Sequence, residues 1–320
     1  MPLLVRRITP EPPPTPTPPP EPPIPAPVQF IDAQWTSPDG EELELMAPSN
    51  SDGVHLLAGA DGLGAAPRSV ATRPLATGGS MARWSHAEER LITLPMQIQA
   101  MTHGAFVELR RKVVRAFLAT TPAAGDPRPG TLRITRADGT WREIKAIYLD
   151  GLSWSDDTVF GPNLDRAVVQ LVAPDPWWYG DTVPALEFGT GEARDYFDPY
   201  ETVSADRELG AATVEILGDV AASPVWTITG PATSVTVRYA ETGPGWTFGQ
   251  ILPGETITID VERYAVYDNT GANRIGNIAW TTSTLFTLRP GPNDLLLSIT
   301  GGVTGQSKIT LTYRPRYETA

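Results

Sequence analysis

The sequence contains no cysteine among its 320 residues. A disulfide framework, thiolate metal sites and a cysteine nucleophile are therefore excluded together, and the stability of the fold must come from packing. Lysine is nearly as scarce, with three residues against 22 arginines, and no lysine follows a glycine. A phosphate-binding loop of the GxxxxGK[ST] type, which needs that lysine, is therefore absent.

Long apolar runs are also missing, since none approaches the roughly 18 to 20 residues that cross a bilayer. The first seven residues are followed by prolines instead of a signal-peptide apolar core, so we expect no membrane insertion and no export by such a signal. The net charge of −12 is the opposite of what a nucleic-acid binder needs. Hydrophobic residues make up 41% of the chain, which excludes global disorder and allows about two domains of roughly 150 residues.

The residues that usually carry catalysis form no recognisable constellation. No histidine has another histidine at the four-residue offset of a zinc-binding helix, and no Gly-x-Ser-x-Gly elbow is present. The three histidines are His55, His86 and His103. We therefore predict no metal site, no cofactor and no enzymatic activity.

Three acidic residues close together in sequence raise the alternative of a glycosidase pair or a loosely held calcium ion. They are Asp195, Asp198 and Glu201. A glycosidase needs two carboxylates held across a cleft, and a calcium loop needs a regular spacing of oxygen ligands, which these residues do not have. In a chain of this charge such acids are readily coincidental, and we assign them neither role.

Proline is concentrated at the start of the chain, where positions 1–27 hold 13 of the 33 prolines. Proline fixes φ and removes an amide donor, so residues 9–27 (TPEPPPTPTPPPEPPIPAP) favour a solvated polyproline II rod and cannot pack a core of their own. At roughly 3.1 Å per residue, residues 10–27 reach on the order of 55 Å, which is enough to cross a neighbouring subunit. The alternative is a passive tail.

Residues 28–183 alternate apolar and polar side chains as a β domain does. Over residues 103–119 the apolar side chains recur at helical spacing instead, which predicts one helix. The face that docks on a sheet is predicted to carry Phe106, Leu109, Val113 and Phe117. The predicted strands cover residues 28–35, 43–46, 54–57, 90–100, 131–135, 141–148 and 167–172.

The other face of the predicted helix is basic. Such a cluster is usually a solvated surface, and we interpret it as a subunit contact before a nucleic-acid site. Its members are Arg110, Arg111, Lys112 and Arg115.

Three large rings follow the last strand of this domain, in the segment APDPWWYG of residues 173–180. Prolines at 174 and 176 stop the strand, and rings in this position plug the base of a domain or wedge it against the next one more often than they stack on sugars. We predict an interdomain plug or contact made by Trp177, Trp178 and Tyr179.

Residues 184–320 show about eight short alternating segments separated by glycine, proline and asparagine turns, and no convincing helix. This spacing predicts an antiparallel, jelly-roll-like sandwich. The predicted strands cover residues 213–217, 225–228, 234–239, 256–261, 264–267, 285–288, 295–299 and 308–313. Its tryptophans, Trp226, Trp246 and Trp280, are expected in the core or as loop anchors, although an exposed one could stack on a glycan.

The order of these features resembles the distal tail (Dit) proteins of long-tailed, siphovirus-type bacteriophages and their minor-tail-protein relatives. The first domain carries GLG at 62–64, RLITLPMQI at 90–98, FVELRRKVVRAFL at 106–118, GTLRITRADGTWREIKAIYLDGL at 130–152 and APDPWWY at 173–179. The second carries PVWTITGPAT at 224–233, LPGETITIDV at 252–261 and LRPGPNDLLLSI at 288–299. No single motif is diagnostic, but their order over most of positions 43–317 is specific.

The resemblance implies a mainly β protein. Its N-terminal part, residues 28–183, would be a tail-tube-like sandwich with one flanking helix that assembles into a ring of six. Its C-terminal part, residues 184–320, would be a sandwich resembling a carbohydrate-binding module. The proline-rich arm, residues 1–27, lies outside the family pattern.

The resemblance also implies a structural protein of the virion, located at the tail tip and assembled in the host bacterial cytoplasm. The implied partners are further copies of itself, the tail tube protein, the central tail-tip hub protein, the tape measure, receptor-binding proteins and a host glycan. DNA would only pass through the ring, where acidic walls repel phosphates. The alternative from another class is a stand-alone carbohydrate-binding protein that uses its second sandwich.

Overall fold

A computed structural model describes residues 32–48, 51–153, 161–183, 185–189, 206–240 and 243–320, without the side chains of 206–209. The predicted proline-rich arm of residues 1–27 and the acidic residues Asp195, Asp198 and Glu201 lie outside these ranges. The described part contains one α-helix and twenty β-strands, all paired antiparallel.

Seven strands of the first domain pair into one continuous sheet, in the order β2-β1-β7-β8-β9-β6-β3. Side chains along these strands alternate between buried and exposed positions. Strand β6 buries every second side chain from Arg90 to Ile98, which is the pattern of a sheet with one face on a core. The strands of this domain are β1 Asp32–Thr36, β2 Glu42–Glu44, β3 Gly53–Leu56, β4 Arg68–Pro74, β5 Ser80–Ala87, β6 Arg90–Gln99, β7 Gly130–Thr135, β8 Trp141–Asp150, β9 Leu164–Ala173 and β10 Trp178–Tyr179.

The sheet folds over at β8, which serves both halves of the domain. Residues 141–146 pair with β7, whereas residues 147–150 pair with β9. The two outer edges then meet, because the amide of Leu56 at the end of β3 donates to the carbonyl of Leu45 after β2 at 2.7 Å. The domain is therefore a closed, two-layered sheet around one core.

The helix α1, His103–Leu118, covers this core. Thr102 caps its N-terminus by accepting a hydrogen bond from the amide of Ala105 at 3.3 Å. Phe117 is fully buried and stacks on Trp35 of β1 with ring centroids 4.9 Å apart. The Trp35 indole donates to the carbonyl of Ala116 at 3.0 Å, so the helix is tied to the first strand by both packing and a hydrogen bond.

The second domain is a sandwich of two antiparallel sheets. A five-stranded sheet, β11-β19-β13-β16-β17, faces a four-stranded sheet, β12-β18-β14-β15, and their inner side chains form a separate core. Its strands are β11 Leu186–Gly189, β12 Asp206–Ile216, β13 Val225–Thr229, β14 Ser234–Tyr239, β15 Gly245–Phe248, β16 Thr256–Asp260, β17 Ala265–Asp268, β18 Gly291–Thr300 and β19 Lys308–Thr312; β20 Arg316–Tyr317 follows.

The predicted fold class, mainly β with one flanking helix and a second antiparallel sandwich, is confirmed. The strand predicted at residues 285–288 is wrong. That segment is a loop in which Leu288 exchanges two 2.9 Å backbone hydrogen bonds with Ala222, and Leu285 and Leu288 are buried, so burial alone produced the strand-like alternation. The prediction also missed the hairpin of β4 and β5, whose side chains are mostly exposed and therefore show no buried face.

We predict that Phe117→Ala lowers the free energy of unfolding by about 3 to 5 kcal/mol, because it removes a fully buried ring and its stacking on Trp35. The matched control is Leu118→Ala on the same helix, where the side chain is 43% exposed and the loss should stay within about 0.5 kcal/mol. Urea titration measures both. Equal losses for the two variants would contradict the packing of α1 on the core.

Candidate functional site

The two domains are joined where the chain enters and leaves the second one. Strand β10, on the way in, pairs with β20, on the way out, with Trp178 opposite Tyr317. Tyr179 of β10 also lies opposite Glu143 of β8, so β20 extends the sheet of the first domain through β10. The second sandwich is therefore attached to the first domain by both of its ends.

A single buried arginine organises this junction. Arg90 begins β6 and is 1% exposed, and its guanidinium donates to backbone carbonyls from three separate parts of the chain. The acceptors are Pro176 at 2.9 Å, Gly62 at 2.8 Å, Gly64, and Glu318 at 2.9 Å. Burial lowers the pKa of Arg90, while nearby Glu318 raises it, and a guanidinium stays charged in proteins. The charge is thus held by carbonyl dipoles instead of a paired carboxylate.

Other arginines of the first domain bind residues 318–320, the segment after β20. Arg68 forms an ion pair with the Glu318 carboxylate, and Arg142 donates to the carbonyl of Thr319 at 2.6 Å. These contacts place the segment after β20 on the first domain, although it follows the second sandwich in sequence.

Tyr179 lies at the centre of the contact between the domains. Its hydroxyl donates to Asp175 and reaches Glu262 of the second domain at 3.3 Å. Arg314 and Arg316 lie over its ring at 5.1 and 5.4 Å from the centroid, within the range of a cation–π interaction. Burial, followed by the hydrogen bond to Asp175, raises the pKa of Tyr179, so the hydroxyl remains a donor.

The three rings predicted as a plug or contact take different positions. Trp178 is fully buried in the core of the first domain, whereas Trp177 and Tyr179 are half-buried. Tyr179 makes a side-chain hydrogen bond to the second domain. The motif therefore combines a core anchor with a polar contact, and its interdomain role stays a prediction.

The predicted basic cluster lies on the side of α1 that turns away from the core. Arg111 pairs with Glu108 at 2.9 Å, and Arg115 lies 3.6 Å from Glu41 in the β1–β2 turn. Both ion pairs are largely exposed, where such pairs contribute little to stability. The cluster, Arg110, Arg111, Lys112 and Arg115, forms a positive surface on an acidic protein, and its role as a subunit contact stays a prediction.

The hairpin of β4 and β5 is a surface that sequence reasoning missed. It is a separate two-stranded sheet, and large apolar side chains on it are about half exposed, with Trp84 at 58% and Met81 at 50%. A two-stranded hairpin alone is marginally stable, so an exposed apolar one is typical of a contact surface. The Gly78-Gly79 turn between two alternating segments was the available sequence signal.

Two of the three glycan-stacking candidates are excluded by burial. Trp226 is 0% exposed and Trp246 is 1% exposed, and they pack edge to face at 6.0 Å inside the second sandwich, so neither can reach a ligand. Trp280 is 39% exposed and stacks on Tyr264 at 5.8 Å. Of the three tryptophans, Trp280 has an exposed ring surface, which stacking on a glycan would require.

The described residues hold no group of three or more His, Asp or Glu side chains placed to bind a metal ion. The three histidines are dispersed, as the sequence suggested: His55 lies in β3, His86 in β5 and His103 at the start of α1. In the same ranges, no helix is both long and apolar enough to span a membrane.

Comparison with known proteins agrees with this fold. Residues 217–317 match the family model described as the C-terminal domain of a siphovirus-type tail component. The match covers about a third of the chain, which therefore resembles the C-terminal domain of a long-tailed phage tail component. The resemblance to Dit and minor tail proteins is confirmed.

Among solved structures, the crystal structure of the Dit protein of phage SPP1 matches with a TM-score of 0.62 and 12% identity, over 90% of this chain and 99% of that chain. That protein is described as a paradigm of the hub adsorption apparatus in phages that infect Gram-positive bacteria. A chain of the phage P2 baseplate in its activated conformation with Ca matches at a TM-score of 0.48 and 10% identity, over 89% of this chain and 98% of that chain, and this weaker likeness carries no further conclusion. No curated protein sequence matches the chain.

We predict that Arg90→Lys loosens the junction, because an ammonium group cannot span four carbonyls and leaves buried acceptors unpaired. The free energy of unfolding should fall by at least about 1.5 to 3 kcal/mol, the value of one charged hydrogen bond. Amide hydrogen exchange at residues 316–320 should also become faster. The control, Arg83→Lys on the exposed strand β5, should change neither measurement. Unchanged exchange in Arg90→Lys would show that the arginine does not hold the segment.

Proposed function

We propose that this protein forms the distal hub ring that joins the tail tube of a long-tailed bacteriophage to its tail tip and host-recognition proteins. The observation that carries the proposal is the match of residues 217–317 to the siphovirus-type tail component family. The likeness of the whole fold to SPP1 Dit, described as part of a hub adsorption apparatus, supports the same role.

The β4–β5 hairpin supports self-association in a ring of six copies. Its apolar side chains have no cover within the described part of the subunit, and a neighbouring copy would bury them and stabilise a hairpin that is weak on its own. Because the surface lies on a separate two-stranded sheet, it suits a contact that repeats from subunit to subunit around a ring.

The remaining partners follow from the position of a hub. The ring contacts the tail tube protein on one side and the central tail-tip protein on the other, with tape measure and receptor-binding proteins nearby. DNA passes through the lumen, and an acidic protein repels its phosphates there. Assembly takes place in the host bacterial cytoplasm before the tail is complete.

A hub of this kind needs no enzymatic activity, and we propose that the chain has none. The alternative of a stand-alone carbohydrate-binding protein now rests on Trp280, because Trp226 and Trp246 are core residues. A single partly exposed ring stacked on Tyr264 is a small platform for a sugar, and it does not favour that alternative.

We predict that the purified chain forms rings in projection images and that Trp84→Lys weakens them. Placing a charge in a contact that buries an aromatic side chain should raise the apparent dissociation constant by at least about tenfold, the effect of a modest interface anchor. The control is Leu252→Lys in the second domain, where the exposed fraction of 56% is close to the 58% of Trp84.

Size-exclusion chromatography over a concentration series measures the dissociation constant. Rings that persist equally in Trp84→Lys would remove the hairpin from the interface. A wild-type chain that remains monomeric at every concentration, with no ring at the tail tip of antibody-labelled particles, would contradict the hub itself.

A further inference from the structure

Charge is divided between two consecutive stretches of the first domain. Residues 32–67 contain seven acidic residues and no lysine or arginine, whereas residues 68–87, which include the β4–β5 hairpin, contain three arginines and no acidic residue. A chain with a net charge of −12 therefore places an excess of positive charge on an element whose large apolar side chains are exposed. The hairpin surface is both apolar and cationic.

One face of the hairpin combines these two properties. Trp84 lies opposite Ala71 in the pairing of the strands. Met81 lies opposite Arg73, two residues further along β4, where side chains return to the same side of a strand. Trp84, Met81 and Arg73 therefore share a face, and all three are exposed. Arg83, left out of the pairing at the register shift, is exposed beside them.

Arg73 and Arg83, the hairpin arginines, find no counter-charge in their own subunit as far as the structure describes it. Arg68, at the base of the hairpin, forms an ion pair with Glu318. No carboxylate of the described ranges pairs with either of the hairpin arginines. A partner that buries this face must therefore supply carboxylates beside an apolar surface, because unpaired guanidinium groups at a contact are costly.

Strand β2 presents a surface of that chemistry. Its Leu43 is buried, so Glu42 and Glu44, the β2 carboxylates, point outward, and Met46 beyond them is 41% exposed. Glu42 accepts a hydrogen bond from the neutral amide of Gln34 at 3.2 Å. Among the described residues, no cation pairs with either of the β2 carboxylates. The strand thus offers two uncompensated negative charges and an exposed thioether.

The two surfaces lie toward opposite ends of β6. The hairpin leads into this strand at Arg90. Met46 bridges to His55, whose partner in β6 is Gln97, seven residues further along. At roughly 3.3 Å per residue, the two points are on the order of 20 Å apart. A contact between two different surfaces is heterologous, and its repetition by rotation closes a ring.

We propose that the β4–β5 hairpin of one copy docks on β2 of the next copy around the ring. The hairpin arginines then pair with the β2 carboxylates, and the Trp84 ring packs against Met46, since a thioether makes favourable contacts with an aromatic ring. This contact rests on the ring proposed above and names the surface that the hairpin occupies. The charges also disfavour pairing of two hairpins, which would bring four arginines together.

Charge reversal on each side tests the contact in the full-length chain. One variant carries Arg73→Glu with Arg83→Glu, and the other carries Glu42→Arg with Glu44→Arg. Each variant alone should raise the apparent dissociation constant of the ring by at least about tenfold, because like charges then face each other. Mixed in equal amounts, the two variants should assemble again, since their reversed charges are complementary when the variants alternate around a ring of six.

The matched control reverses two exposed carboxylates on the second sandwich. Glu187→Arg in β11 with Glu215→Arg in β12 changes the net charge as much as the β2 variant does. The control should assemble as the wild-type chain does. Size-exclusion chromatography over a concentration series measures assembly, and circular dichroism verifies that every variant is folded.

The outcomes separate this contact from the hub. If the β2 variant assembles as well as the wild-type chain while the hairpin variant does not, the hairpin binds another surface and the contact is overturned, with the hub unaffected. Folded variants that fail to assemble when mixed would overturn the contact as well. A wild-type chain that forms no ring at any concentration would count against the hub and the contact together.

Discussion

Burial of the Arg90 guanidinium is the constraint on which the junction depends. A charge removed from water is costly unless it is hydrogen-bonded, and here the acceptors are carbonyls 26, 28, 86 and 228 residues away in sequence. The loop at Gly62, the segment after β9 and the segment after β20 must therefore be in place together. Gly62 has φ +81°, and a Cβ there would approach the carbonyl oxygen of Leu91 to 2.1 Å, so only glycine permits this close approach.

This constraint changes how the two domains are related. Separate sandwiches joined by one linker would move independently, whereas here β10 and β20 pair with each other on the sheet of the first domain. Tyr179 lies against Arg314 and Arg316, and its hydroxyl is 3.3 Å from Glu262 of the second sandwich. In the hub role proposed above, force on the second domain would be carried by two strands.

The contacts that hold the subunit together differ in kind from the surfaces left for assembly. The subunit is held by two apolar cores and by arginines directed at backbone carbonyls. In the described part of the chain, the exposed surfaces include an apolar hairpin and a cationic helix face. In the proposed ring, a neighbouring copy would bury the apolar hairpin, and the cationic helix face stays the predicted subunit contact.

The sequence by itself determined the class of the fold and the position of α1, and its order of motifs resembles that of the Dit proteins, because alternation, helical spacing and turn residues are local properties. It could not distinguish Trp226 and Trp246, which are core residues, from Trp280, which is exposed, since all three stand in similar apolar segments. It also gave no reason to expect Arg90 to be buried, because the carbonyls that satisfy its charge come from distant segments. Only the tertiary structure decides which segments meet, and burial and hydrogen bonding depend on that meeting.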